Sequence, residues 1–219
     1  VLGYHGNCFH ISALLNKIYK ELYNYALNQN KKIILKIMSN KKIFKINFPI
    51  WYFKNIKMID NSSNIKFKFF DYDESFINQF MSDIDIGLCP QLVPIKNNFI
   101  TKKISSTITN KFNERNADLI MRYKETSNIG RLAVFSQFKI PVISDPCPSS
   151  CSAIGMNEFG LIASSKYQWI KSIKYLENKD IRYKLGSSLN NRINDLYSDD
   201  MMYKNFLKFL NKLITKISY

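Results

Sequence analysis

The sequence predicts an α/β fold: a doubly wound parallel sheet with helices on both faces. Three observations carry that reading. The chain opens strand–helix–strand, with Gly6-Asn7 at the first crossover, as a parallel α/β domain begins. Short apolar runs, too brief for helices, recur over 84–88, 142–143 and 159–163, with helical patterns between them. The stretch 124–145 reads as polar loop, short helix, Pro141 stop and buried strand, again one turn of the same winding.

Each element has its own warrant. Residues 1–5 form a short strand, and Gly6-Asn7 the turn. Ile11, Leu14, Leu15, Ile18, Leu22 and Ala26 recur at helical spacing and form one stripe, which ends at residues 28–30. Residues 32–38 are the second strand. Phe44, Ile46 and Phe48 alternate toward Pro49, which suggests another; Trp51, Tyr52 and Phe53 follow as an aromatic cluster among lysines. Such a cluster reads as a partly buried edge, a base-stacking surface or a membrane-interface patch. After a loop at 61–64 come a strand over 65–70, a helix over 73–81 with acids in its first turn, and a strand over 84–88 ended by Cys89-Pro90. Residues 91–109 look like a long surface loop and 112–121 like a helix.

Ser127 or Asn128 is the expected N-cap of the next helix, since a short side-chain acceptor there satisfies an orphan backbone N–H. Leu132, Phe135 and Ser136 share its inner face. A helix N-terminus with Arg131 in its first turn is a candidate anion site; a surface helix capped by Ser-Asn would look the same. Beyond the strand at 142–143 come a Pro-rich turn, a short helix through Ile154 and a strand over 159–163. The helix over 166–178 turns Trp169, Ile170, Ile173 and Leu176 inward. The helix over 180–197, with Asp180 as expected N-cap, turns in Ile181, Leu185, Leu189 and Ile193. A last amphipathic helix over 201–217 carries Phe206, Phe209, Leu210, Leu213 and Ile217 opposite Lys204, Lys208, Lys212 and Lys216. That basic face suits either solvent or an acidic membrane.

The composition is globular: 46% hydrophobic and 22% charged over 219 residues. No apolar run is long enough to cross a bilayer, and no signal-peptide pattern opens the chain. Val1 stands directly in an apolar stretch, which reads as an excised domain. Lys and Arg total 32 against 17 Asp and Glu, a net charge of +15. Such a charge attracts polyanions. The basic residues are spread along the chain, however, and Lys, Asn, Ile, Phe and Tyr are enriched together, so codon bias explains most of it. Cys8, Cys89, Cys147 and Cys151 form no CxxC pair and read as reduced cytosolic thiols. With His5 and His10 they match no standard zinc spacing, and no metal is expected. P-loop, GxGxxG, HExxH and internal repeats are all missing from the sequence. His5 and His10 are the only histidines. His5 sits at the first strand-to-helix turn, where ligands of parallel sheets bind.

Taken together these stretches resemble the C-terminal domain of retaining glycosyltransferases with the GT-B fold, of the glycosyltransferase family 4-like group that includes many lipopolysaccharide and capsule enzymes. "LGYHGN" with "HISALLNKIYKEL" resembles the family's opening strand, glycine turn and helix. "DIDIGLCP" resembles the strand before the donor pocket, and "KETSNIGRLAVFSQFKIPVISDP" the nucleotide-sugar segment. "GLIASSKYQWIKSIKYLENKDIRYKLGSSL" resembles the closing helices.

The resemblance implies a Rossmann-like GT-B half-domain over residues 1–219, with a C-terminal helix and without the family's N-terminal acceptor domain. It implies binding of a nucleotide-diphosphate sugar, for transfer of a hexose-type sugar to a glycan or lipid-linked acceptor, with the donor as substrate and no cofactor. Gly6 and Asn7 would lie near the diphosphate. Ser127, Asn128 and Arg131 would hold phosphate and ribose, and His5 and Glu125 are possible substrate contacts. The catalytic residues stay unassigned, and the isolated domain is expected to be inactive. One departure stands out. Many members carry two glutamates here, and counting back from Pro141 their places fall to Thr126 and Val134. The Ser-Asn-Arg variety fits better. The expected setting is cytoplasmic, with a peripheral membrane contact open and no nucleic-acid partner. The competing reading is a non-catalytic α/β module that binds nucleotides or nucleic acid; a salt-dependent shift with DNA or RNA would mark it.

Overall fold

A computed structural model describes residues 1–40, 64–91 and 129–217. The strand expected near Phe48, the Trp51–Phe53 cluster, the loop and helix expected between 92 and 121, and Glu125, Ser127 and Asn128 lie outside the described residues.

Six strands form one sheet: β1 (Leu2–His5), β2 (Ile33–Met38), β3 (Ile65–Phe70), β4 (Ile86–Cys89), β5 (Val142–Ser144) and β6 (Leu161–Ile162). Every pairing is parallel, in the order β3-β2-β1-β4-β5-β6. Leu2 sits opposite Leu35 on one side and Ile86 on the other. The helices are α1 (Cys8–Asn28), α2 (Ile77–Met81), α3 (Gly130–Gln137), α4 (Pro148–Ile154), α5 (Lys166–Tyr175), α6 (Lys179–Tyr197) and α7 (Asp199–Ile217).

The period-two alternation of the strands sorts the core into two layers. On one face the α1 stripe, Ile11, Leu14, Leu15, Ile18, Leu22 and Ala26, packs with Tyr4, Leu35, Ile37 and Leu88, together with Trp169 and Ile173 of α5. On the other, Leu132 and Phe135 of α3 meet Met38, Val142, Phe80, Leu189 and Ile193. Gly87 of β4 lets Phe135 settle on the sheet, since a Cβ there would stand 2.7 Å from its ring.

Lys36 of β2 is buried yet keeps its charge satisfied: Nζ donates to Phe80 O at 2.7 Å and to Asp83 Oδ1 at 2.5 Å, and lies over the Phe80 ring. Burial alone would raise the Asp83 carboxyl, but the hydrogen bond and charge of Lys36 outweigh it and hold it below the ordinary range.

Several helix starts differ from the sequence reading. Asn178, not Asp180, caps α6: its extended backbone leaves Oδ1 free to accept from Asp180 N at 2.8 Å and Ile181 N at 3.2 Å. Asp180 instead sits in the first turn, where the helix dipole favours a carboxylate. α2 begins only at Ile77, because Asp73 accepts from Ser75 N and Oγ and folds the preceding residues into a turn. The N-cap position of α3 is Ile129, which supplies no side-chain cap, so neither Ser127 nor Asn128 holds that place. α5 starts on a full capping box between Ser165 and Gln168.

Candidate functional site

In a sheet of this order the chain turns to opposite sides after β1 and after β4, and a crevice opens beyond their carboxyl ends. Three segments meet there. The first is the turn after β1. Gly6 has φ +121°, a conformation that side chains rarely adopt, and its N–H donates to Met38 O at 3.0 Å. Asn7 is exposed and immediately precedes the 21-residue α1, whose N-terminal dipole therefore faces the crevice. The second segment is the exit of β4 at Pro90-Gln91. The third is the first turn of α3, with Arg131.

Arg131 joins the three. Its Nη1 donates to Pro90 O at 2.6 Å and reaches Tyr4 Oη at 3.4 Å, and its Nη2 donates to Gln91 Oε1 at 3.1 Å. The guanidinium stands 5.5 Å from the centre of the Tyr4 ring. Tyr4 Oη in turn donates to Asn7 O. A Cβ built on Gly6 would lie 3.4 Å from Arg131 Cδ, in ordinary van der Waals contact, so the turn and the arginine are neighbours. Gly6, Asn7 and Arg131 thus come together at the carboxyl edge of the sheet.

The charge balance of this corner is uneven. All the partners of Arg131 among the described residues are neutral. A cation near a helix N-terminus is disfavoured by a few tenths to about 1 kcal/mol, and the two acceptors and the ring offset that. They do not neutralise it, so an anion arriving here meets a held cation and the N-terminal ends of α1 and α3.

His5 closes β1 rather than lying in the turn, and is 6% exposed. Its ring meets Phe135 edge-on at 5.1 Å, and Nε2 has no hydrogen bond among the described residues. Burial lowers its pKa to about 4, helped by the Arg131 charge and opposed in part by a backbone contact with Arg131. Tyr4 is fully buried; burial pushes its phenol far up, against the smaller effect of Arg131. The Cys89 thiol is pushed up to about 12 by burial, which keeps it protonated and unfit as a nucleophile. Among the described residues no cluster of His, Cys, Asp or Glu could hold a metal.

Sequence reasoning missed the supporting residues. Gln91 N donates to the buried Asp145 Oδ2 at 3.0 Å, while Lys17 Nζ stands 3.8 Å from Oδ1 and donates to Ser164 O at 2.9 Å. Asp145 thus ties the ends of β4 and β5 to α1. The available signal was positional: Pro90 and Asp145 each follow a buried strand directly.

No family model and no curated protein matches the sequence. Solved structures do match the fold. A glycosyltransferase from Rickettsia africae ESF-5 superposes at TM-score 0.60 and 12% identity, covering 97% of this chain and 47% of that one. TarM of S. aureus superposes at TM-score 0.58 and 14% identity, covering 96% of this chain and 34% of that one. HepE of Anabaena, solved with UDP and glucose, superposes at TM-score 0.57 and 9% identity, covering 96% of this chain and 47% of that one. The chain therefore spans about a third to a half of their length. The architecture, a Rossmann-like parallel sheet with a C-terminal helix, matches GT-B glycosyltransferase folds; at these identities the likeness speaks for the fold alone.

Proposed function

We propose that this chain is the donor-binding half of a retaining glycosyltransferase of the family 4-like group. It takes a nucleotide-diphosphate sugar and serves transfer of a hexose-type sugar to a glycan or lipid-linked acceptor. The observation that supports this most is the meeting of the Gly6 turn, the N-terminus of α1 and Arg131 in one crevice without a neutralising carboxylate among the described residues. The fold neighbours lend a ligand class: HepE was crystallised with UDP and glucose, and TarM with UDP.

In this reading the diphosphate lies by the Gly6-Asn7 turn, at the N-terminus of α1 and beside Arg131. The cation and the helix ends stabilise the charge that grows on the leaving diphosphate, with no cofactor needed. Ser127 and Asn128, next to Arg131 in sequence, contact phosphate and ribose. His5 and Glu125 are candidates for further substrate contacts. A second half, of the size the neighbours carry, binds the acceptor; the isolated half does not catalyse transfer. The enzyme works at the cytoplasmic side, in polysaccharide assembly.

Titration calorimetry with UDP-, GDP- and other nucleotide sugars tests the reading. Arg131→Ala is expected to lower nucleotide affinity at least about tenfold, roughly 1.4 kcal/mol. Loss of the hydrogen bonds to Pro90 and Gln91 costs stability too, on the order of 1 kcal/mol. Arg131→Lys separates the two effects. It keeps the charge but cannot fork to both acceptors, so it should recover part of the affinity and little of the stability. Nucleotide binding that is unchanged in both variants removes Arg131 from the site.

A further inference from the structure

Arg131 is held by backbone that has already left the sheet. Its two acceptors, Pro90 O and Gln91 Oε1, belong to successive residues just past the end of β4. The pairing of β4 with β5 stops at Cys89 and Ser144, and Pro90 has no N–H with which to continue it. The first amide that the exit can offer is Gln91 N, which donates to Asp145 Oδ2 at 3.0 Å. Asp145 directly follows β5 and is only 3% exposed. Its own place is fixed in turn. Cys147 N donates to its carbonyl at 2.9 Å, and Lys17 Nζ of α1 stands 3.8 Å from Oδ1.

A carboxylate that accepts from a backbone amide makes a stronger hydrogen bond than two neutral groups do. What this one holds is the two-residue segment that orients the guanidinium. A drift of that segment would draw both acceptors away from Arg131, whose rigid planar fork cannot follow them separately. We infer that Asp145 is a positioning residue: through Gln91 N it sets Pro90 O and Gln91 Oε1, and through them the direction in which Arg131 faces the crevice. Every group in this relay lies in this chain. The inference rests on the nucleotide-sugar reading for the identity of the anion, not for the relay itself. The competing role is purely structural, with Asp145 only tying α1 to the sheet through Lys17.

Two variants of the full chain separate these roles. Asp145→Asn and Asp145→Ala both remove the charge opposite Lys17, but only the first keeps an oxygen that can accept from Gln91 N. The guanidinium nitrogen signals of Arg131 in the NMR spectrum, assigned by their loss in Arg131→Lys, report its order without any ligand. With both Nη groups bonded, rotation about the Cζ–Nε bond is slow and the two signals stay apart. They are expected to stay apart in Asp145→Asn and to merge in Asp145→Ala. UDP affinity should fall about fivefold in Asp145→Ala, one net hydrogen bond's worth of order, and hardly at all in Asp145→Asn. In the Arg131→Ala background the same change should cost no further affinity, because its effect passes through Arg131. Lys17→Ala, a partly exposed site that keeps the fold even where Asp145→Ala does not, breaks the tie to α1 and should leave the signals apart. Signals that respond alike in the two Asp145 variants, signals that merge in Lys17→Ala, or an undiminished loss in the Arg131→Ala background overturn the inference. The NMR arm needs no nucleotide, so it decides the relay even where the nucleotide-sugar reading fails.

Discussion

Gly186→Ala is expected to lower the melting temperature by about 6–12 °C, the equivalent of roughly 3 kcal/mol or more for a chain of this size. Gly186 lies on the buried side of α6, and a Cβ there would stand 1.8 Å from Lys139 O and 2.6 Å from Lys139 C. The obstacle is backbone rather than a side chain that can swing away. That backbone is also pinned. Lys139 N donates to Ser136 O at 2.9 Å and Ile140 N to Phe135 O at 3.0 Å, and Lys139 holds a left-handed φ of +53°. α6 cannot retreat either, since Leu185, Leu189 and Ile193 anchor it in the core. The strain acts on the turn between α3 and β5, at the opposite end of α3 from Arg131. A shift of less than about 2 °C in calorimetry would show that the contact relaxes cheaply.

Acidification should destabilise the fold through His5. Its folded pKa is lowered to about 4 from an ordinary 6.5. As pH falls through 6.5 the unfolded chain takes up a proton that the folded chain refuses until about pH 4. The stabilisation from a neutral, buried His5 is therefore complete above 6.5 and is lost across that window, by up to about 3 kcal/mol. Most of the effect, about 2 kcal/mol, falls between pH 7 and pH 5, above the range where carboxylates dominate. Urea unfolding at those two values, on the parent chain and on His5→Gln, isolates the term; the comparison also subtracts His10. Equal pH slopes in the two chains would contradict the burial of a neutral imidazole.

Both predictions rest on contacts that no local pattern announces. Lys139 and Gly186 belong to different elements, and their approach exists only because α6 crosses the turn after α3. The sequence places His5 at the first strand-to-helix turn but does not show that Phe135 of α3 packs against its ring. The capping of α6 shows the same limit on a smaller scale. Asn178 and Asp180 are both acceptable caps by residue type, and only the backbone geometry around 178 chooses between them.

What the sequence determined by itself is the local physics. Periodicity of two and of 3.6 marked the strands and the α1 stripe, Pro141 marked the boundary before β5, and the Gly6 turn and the Arg131 helix start marked candidate phosphate contacts. Those signals are carried by neighbouring residues and need no partner. Strand order is different. Placing β1 beside β4 is decided by which faces bury together in the whole domain, and only that placement lays Arg131 across Pro90, Gln91 and Tyr4 beside Gly6. The exposure of Phe206, Phe209 and Leu213 on α7 is decided in the same way: the pattern predicts an amphipathic helix, but whether its face is covered depends on what the rest of the fold leaves within reach.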